Sequence, residues 1–185
     1  TNIYEATMTP MQQKEWLVNE LEPIKDKILG AVSGNHEYRA NILTGICPLY
    51  DVLTKLDLEE IYRPNIGFLK INLGQRTKDR QVSYTFVLAH GQAKGRTKQF
   101  PYSIDGMDVM VTGHFHEPTS EFNSKIVIDN QNEVVKMRDF MHISIPSFVE
   151  YGGYGARALY MPRNTNMYPV VTLNGTRKEV NLLWM

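Results

Sequence analysis

The chain has a single cysteine, Cys47, and no apolar segment that approaches the ~20 residues needed to cross a bilayer. One cysteine excludes an intrachain disulfide, and a reducing compartment, the cytoplasm, is therefore expected. Twenty basic residues balance twenty acidic ones, so the net charge is zero. Such a chain has no overall attraction to nucleic acid or to a membrane, and any such binding has to be local. No membrane partner is predicted.

The 185 residues, of which 42% are hydrophobic, are sufficient for one domain with a substantial core. Short apolar segments alternate with helical patterns in the first half, and turn signals separate short strands in the second half. This order predicts an α/β fold in which helices flank two packed mixed β-sheets. A single domain over residues 1–185 is expected.

Local signals predict the individual elements. We expect a helix beginning at Thr9-Pro10, a buried strand at Ile28–Val32, and two helical segments within 38–60 that are separated around Gly45 and Pro48. Strands are predicted at 66–73, 81–89, 107–112, 125–128, 134–137 and 142–146, with a basic loop at 92–100 and a flexible aromatic loop at 151–155. Asn174-Gly175, between strands at 169–173 and 179–184, is the strongest hairpin signal.

Four of the five histidines follow predicted strands and lie beside glycine or in glycine-containing loops. The three segments are Gly34-Asn35-His36-Glu37, His90-Gly91 and Gly113-His114-Phe115-His116. A single histidine at a strand end is usually a surface or packed residue, but the recurrence of this pattern favours a metal site. Imidazole nitrogens and an amide oxygen suit an open catalytic centre better than a closed structural zinc site. His142 lacks such a motif and is predicted to be structural or merely a neighbour of the site. Glu37 is predicted to orient other groups and not to be a ligand.

These segments resemble the calcineurin-like metallophosphoesterase superfamily. Its signature contains Gly-Asn-His-(Asp/Glu), a later His, and Gly-His-x-His, which match residues 34–37, His90 and residues 113–116. The longer segment Leu21–Arg39 resembles phage and prophage members, which implies a bacterial or phage-infected host cell. The resemblance covers residues 20–118 and implies an αββα sandwich. It also implies a hydrolase with two divalent ions, of manganese, iron, zinc or nickel, that cleaves phosphoesters.

The resemblance also implies roles for individual residues. Asn35, His90 and His114 would bind the second ion, and His116 would bind the first. His36 would act beside the phosphate, where it would stabilise charge or protonate the leaving oxygen.

Two blocks of the family signature, Asp-x-His and Gly-Asp, do not occur in the chain. In the family they supply most ligands of the first ion, and they lie in a strand–helix–strand unit that precedes Gly-Asn-His. We therefore expect Thr1 not to be the biological start, and an N-terminal segment to supply the remaining ligands. At most one ion, near His114, is expected in this chain, and its activity alone should be weak or absent. The alternative is a non-catalytic, degenerate domain that binds nucleic acid or a protein partner.

The substrate is less specified than the reaction. Phosphodiesters, including nucleic acid, are favoured slightly over phosphomonoesters. Tyr38 and Arg39 follow His36 and are predicted to contact the substrate. Lys94 and Arg96, with Lys98, follow His90 and could bind a phosphate backbone, although a solvated basic loop explains them equally well. The loop at 151–155 could stack a base or could simply pack.

Overall fold

The computed structural model describes residues 7–148 and 167–185, which form an α/β fold with a mixed five-stranded sheet. The chain divides into two compact units, Thr1–Gly67 and Phe68–Met185. The predicted α/β class is confirmed, and the finer αββα arrangement stays a prediction. The aromatic loop predicted at 151–155 lies outside the described residues. None of the helices in the described ranges is long and apolar enough to span a membrane.

The first unit contains three α-helices and two very short strands. The helices are α1 (Pro10–Leu21), α2 (Asn35–Thr44) and α3 (Pro48–Lys55), and the strands are β1 (Ala31–Val32) and β2 (Tyr62–Arg63). Two 3₁₀ helices, Glu22–Lys27 and Glu59–Ile61, connect them. The predicted start of α1 is confirmed, because the Thr9 side chain accepts from the Gln12 backbone and the Gln12 side chain accepts from the Thr9 backbone.

The predicted break between the two helical segments is also confirmed. Gly45 ends α2 in the left-handed region, at φ 71°, and Pro48 occupies the first turn of α3. Val52 and Leu53 of α3 are buried, and a 2.8 Å ion pair between Lys14 and Asp51 links α1 to α3. These contacts hold α3 against α1.

The buried strand predicted over Ile28–Val32 is wrong in length and burial. Only Ala31 and Val32 pair, in parallel, with Tyr62 and Arg63. Leu29 is 55% exposed. The apolar run cannot extend as a strand because its partner β2 has only two residues. The short pairing still places Ser33 and Gly34 directly before α2.

The second unit is built on a sheet of strand order β3-β4-β5-β7-β6. Its strands are β3 (Ile66–Thr77), β4 (Arg80–Ala89), β5 (Val109–Thr112), β6 (Thr119–Asp129) and β7 (Val134–Ser144). Strands β4, β5 and β7 are parallel neighbours, whereas β6 is antiparallel to β7. The carboxyl ends of the three parallel strands therefore meet at one edge of the sheet, where Ala89 pairs with Thr112 and Thr112 with Ser144.

A C-terminal hairpin covers one face of this sheet. It consists of β8 (Pro169–Leu173) and β9 (Val180–Trp184), which confirms the Asn174-Gly175 prediction. Tyr84, fully buried in β4, accepts a hydrogen bond from the Glu179 backbone at 2.9 Å, and carbonyls of the hairpin lie around its hydroxyl. Gly74 approaches Gly175 so closely that a Cβ on Gly74 would lie 2.0 Å from the Gly175 carbonyl oxygen. The hairpin thus packs on the core through close backbone contact.

Two further predictions about the second unit are wrong. Strands β6 and β7 form one long hairpin instead of the three short strands predicted at 125–128, 134–137 and 142–146. Their register is continuous from the pair of Thr119 and Ser144 to the pair of Asp129 and Val134. Residues 92–100 are not a loop, because Lys94–Gln99 form helix α4, followed by the 3₁₀ helix Phe100–Ser103. Thr97 of α4 is buried, so packing stabilises a segment whose local helix signal is weak.

Candidate metal and phosphate site

The parallel pairing of β4 with β5 brings His90 and His114 together. Ala89 and Thr112 are the last residues of β4 and β5 and pair with each other. His90 directly follows Ala89, and His114 follows Thr112 after Gly113. His114 Nδ1 lies 3.2 Å from His90 Nε2, and the two ring centroids are 5.1 Å apart at 73°. A Cβ at Gly113 would lie 3.6 Å from His90 Nδ1, an ordinary van der Waals contact, so this approach does not require glycine at residue 113. Two imidazoles predicted as ligands of one ion are therefore close neighbours.

The backbone at His114 has an uncommon conformation. His114 has φ 72°, and the Phe115 N–H donates to the Gly113 carbonyl at 2.9 Å. A hydrogen bond that spans three residues around a positive central φ defines a γ-turn of the rare, strained type. His116 also has a positive φ, of 56°. Left-handed conformations at non-glycine residues cost energy and concentrate at functional sites, and here they direct His114 and His116 out of the strand.

The segment after His90 is anchored to the segment after His116. Gly91, at φ 87°, lets the chain turn, and the Gln92 N–H donates to the Thr97 hydroxyl at 3.1 Å. Lys94 then pairs with Glu117 at 2.9 Å, and one turn later Lys98 pairs with Glu121 at 2.6 Å. Lys94 and Lys98, for which phosphate binding and a solvated basic loop were equally good explanations, thus have carboxylate partners in this structure. Arg96 lies on the exposed surface of α4.

In the first unit, Asn35 and His36 form the start of α2. The Glu37 carboxylate accepts from the Gly34 N–H at 2.9 Å, so Glu37 caps the helix, in agreement with its predicted orienting role. Arg39 donates from Nε to the Asn35 carbonyl at 3.2 Å, and its Nη2 lies 3.4 Å from His36 Nε2. Tyr38 is 60% exposed. The structure thus places a guanidinium beside the imidazole that was predicted to act at the phosphate.

A polar cluster in the first unit was not predicted. The Ser33 hydroxyl lies 2.8 Å from the Tyr62 hydroxyl and 3.5 Å from Cys47 Sγ. Burial opposes ionisation of the thiol, but hydrogen bonds from Tyr62, Ser33 and the backbone outweigh it and lower the pKa of Cys47. Burial and the neighbouring thiol raise the pKa of Tyr62. The cluster joins β1, β2 and the start of α3 directly before Gly34. No motif in the sequence indicated this cluster.

The fifth histidine lies inside the sheet of the second unit, as predicted for a structural residue. His142 Nε2 is 2.9 Å from the Thr112 hydroxyl, and burial lowers the pKa of His142. Glu121 is its cross-strand partner in β6. Two residues further along β7, the Ser144 hydroxyl is buried and has no hydrogen-bond partner within the described residues. Polar side chains therefore continue from the sheet interior to the edge where His90 and His114 lie.

The histidine pair fits a metal ion in part. Two nitrogens at ~2.0 Å from a tetrahedral ion lie about 3.3 Å apart, close to the separation of His90 Nε2 and His114 Nδ1. Over residues 7–148 and 167–185, no group of three or more His, Cys, Asp or Glu side chains is arranged to hold an ion. Catalytic zinc sites use three protein donors and an open position, and structural sites use four, so the pair supplies only part of either donor set.

Comparison of the chain with models of protein families, with curated proteins and with solved structures found no match. The resemblance to metallophosphoesterases therefore stays a prediction that is based on the sequence motifs.

Proposed function

We propose that the chain is a metal-dependent phosphoesterase domain, with phosphodiesters slightly favoured over phosphomonoesters as substrates. The observation that carries the proposal is the approach of His114 Nδ1 to within 3.2 Å of His90 Nε2 at the carboxyl edge of parallel strands. The γ-turn at His114 supports it, because an unfavourable backbone conformation is retained where it positions a functional side chain.

His90 and His114 would hold one divalent ion. The assignment of Asn35 as a further ligand remains a prediction from the sequence. When bound, such an ion lowers the pKa of a coordinated water and stabilises charge on the phosphoryl oxygens. His36 would protonate the leaving oxygen. Arg39 would orient the His36 ring and use its remaining N–H groups to bind phosphate oxygens, as the planar guanidinium does well. Glu37 keeps both residues in place by capping α2.

The test begins with the ion. Titration of the metal-free chain with Mn²⁺ or Zn²⁺ should give at most one bound ion, and His90→Ala or His114→Ala should weaken binding at least tenfold. His142→Gln is the matched control, because it removes an imidazole that lies inside the sheet. If no ion binds specifically, or if all three variants lose ion affinity equally, the metal-site proposal is overturned.

Turnover is then measured with bis-p-nitrophenyl phosphate and p-nitrophenyl phosphate in the presence of Mn²⁺. We expect weak or no turnover by the chain alone, with the diester cleaved faster wherever activity is measurable. Robust turnover by the pure chain would refute the expected impairment while supporting the reaction class. His36→Asn should remove most of any activity that is measured.

A second function, non-catalytic binding of nucleic acid or a protein, has one observation in its favour. This is the lack of a three-residue His, Cys, Asp or Glu group among the described residues. The ion titration separates the two functions. A binding domain that has lost catalysis needs no ion, so nucleic-acid or protein binding that is unaffected by metal and by His114→Ala would favour it.

A further inference from the structure

Strand β7 is longer than its neighbour β5, so part of its backbone edge is unpaired within the described residues. β5 pairs with β7 only over residues 141–144, whereas β7 begins at Val134. Residues 134–140 therefore pair with β6 on one side and with no strand of the described ranges on the other. We call the unpaired side of residues 134–140 the open edge.

The register shows which backbone groups lie on the open edge. The Met141 N–H donates to the Asp108 carbonyl at 2.9 Å, on the side of β5. Because successive residues of a strand direct their backbone groups to alternate sides, the N–H and C=O groups of Met137 and Asp139 also face the side of β5. Among the described residues, no backbone partner meets these groups. An unpaired row of this kind is a template for a further strand.

A cavity of about 540 Å³ lies along the open edge. Six consecutive residues of β7, 136–141, line it, although their side chains alternate between the two faces of the sheet. A cavity that meets both sets of side chains lies beside the strand and not over one face. Residues 178–180, at the start of β9, also line it. Its volume is within the ~300–1,000 Å³ of ligand pockets.

The cavity contains one cation without a carboxylate partner. Arg138 forms no ion pair within the described ranges, and its cross-strand neighbour in β6 is a second cation, Lys125. Like charges in such a pair repel. Asp105 pairs with Lys125 at 3.1 Å and feels Arg138 only at longer range. Lys136 and Lys178, which also line the cavity, both have carboxylate partners, so the positive charge in excess belongs to Arg138.

The next residue carries the opposite charge on the opposite face of the sheet. Asp139 is exposed and has a hydroxyl partner, Ser124, but no cation within ion-pair distance in the described part of the chain. The open edge therefore presents an unmatched positive charge on one face and an unmatched negative charge on the other.

We propose that an extended peptide of a partner protein adds to the open edge as a further strand, with an acidic residue opposite Arg138 and a basic residue opposite Asp139. In strand addition, main-chain hydrogen bonds supply affinity and alternate side chains supply specificity. Cross-strand partners share a face, so adjacent acidic and basic residues in the peptide would meet both unmatched charges. The proposal does not depend on the proposed phosphoesterase function.

A second copy of β7 does not fit this charge pattern. Identical strands that pair antiparallel around a twofold axis place even-numbered residues opposite even-numbered ones, because partners share a face. Arg138 would then lie opposite a basic or apolar residue of residues 134–140 and never opposite a carboxylate. Asp139 would likewise meet no cation of β7. The charges therefore favour a different chain as the occupant.

The probe is the pentapeptide acetyl-Val-Lys-Glu-Lys-Val-amide. Its sequence is symmetric, so it complements residues 136–140 in either strand direction. Nuclear magnetic resonance titration should show saturable binding, and Arg138→Gln should weaken it about tenfold or more, because the charged donor is lost. Arg76→Gln is the matched control, since Arg76 is an exposed arginine on β3 at the other end of the sheet. No binding, or equal weakening by both substitutions, would overturn the proposal.

Charge reversal tests the pairing on both faces. The double variant Arg138→Glu, Asp139→Lys should prefer the reversed peptide acetyl-Val-Glu-Lys-Glu-Val-amide, whereas the unaltered chain should prefer the first peptide. Circular dichroism establishes that the variant is folded. If a folded variant keeps the original preference, the peptide does not read these two charges and the proposal fails.

Amide hydrogen exchange tests the strand addition itself. In the free chain, the Met137 and Asp139 amides should exchange fast, and the Lys136 and Arg138 amides, which face β6, should exchange slowly. Saturating probe should slow exchange at Met137 and Asp139. Continued fast exchange there would refute strand addition, and slow exchange in the free chain would show that the edge is already occupied, which also overturns the proposal.

Discussion

The γ-turn at His114 predicts an unusual order of stabilities among variants. His114→Ala and His114→Gly both remove the imidazole, so the difference between them isolates the backbone. A left-handed conformation costs an L-residue roughly 1–2 kcal/mol, and glycine pays ~0.5–1 kcal/mol more conformational entropy on folding. At φ 72° the first term is larger, and His114→Gly should be more stable than His114→Ala by about 0.5–1 kcal/mol.

Thermal unfolding measured by circular dichroism without added metal is the assay. For a chain of this size, 1 kcal/mol corresponds to about 2–4 °C in Tm, so His114→Gly should melt about 1–4 °C above His114→Ala. The same pair of substitutions at His36, the second residue of α2, should give the opposite order, because alanine is favoured over glycine in a helix.

Ion binding gives the second readout. Both His114 variants should lose the ion, so the more stable variant gains nothing in function. If His114→Ala melts at or above His114→Gly, the backbone at residue 114 is not strained and the reasoning fails. If either variant binds the ion as tightly as the unaltered chain, His114 is not a ligand.

Two further predictions concern the second unit. Tyr84→Phe should lower the free energy of unfolding by about 2 kcal/mol, since it leaves the Glu179 N–H without its acceptor. Tyr102→Phe, which removes only an exposed hydrogen bond to Asn123, should lower it by less than ~1 kcal/mol, and equal Tm shifts would contradict this. Burial lowers the pKa of His142, so folding favours the neutral ring. The free energy of unfolding should therefore decrease as pH falls from about 6.5 through the pKa of His142 in the folded state. The decline of Tm over that range should be shallower in His142→Gln, and an unchanged decline would exclude this source.

Local chemistry explains which predictions from the sequence were confirmed. Thr9 and Gln12 contain a capping signal within four residues, and Gly45 and Pro48 carry their own backbone preferences. Asn174-Gly175 specifies a turn in the same way. Each of these signals acts through neighbours in the chain, so it could be recognised without knowledge of the fold.

The wrong predictions depended on distant partners. The segment Ile28–Val32 has the composition of a buried strand, but the length of β1 is set by β2. Helix α4 is stabilised by the burial of Thr97 and by ion pairs with Glu117 and Glu121, which are more than twenty residues away. These contacts exist only once the strands are in place.

In the candidate site, too, some features follow from local signals and others from contacts between distant segments. The sequence predicted that His90 and His114 would lie at strand ends, and the parallel pairing of β4 and β5 places them in contact. Histidine is enriched at positive φ, but mostly in the left-handed helical region, so the sequence did not specify a γ-turn at His114. The cluster of Ser33, Cys47 and Tyr62 likewise joins three separate segments, none of which carries a motif for it.

The crossover between β4 and β5 has a consequence for folding kinetics. Parallel strands cannot be joined by a tight turn, so their pairing has to wait for α4 and the rest of the connection from Ala89 to Val109. The distance between His90 and His114 closes only when that pairing is complete. In the proposed metal site an ion binds only after this pairing, so the rate at which metal binding appears during refolding would report the rate of this late step.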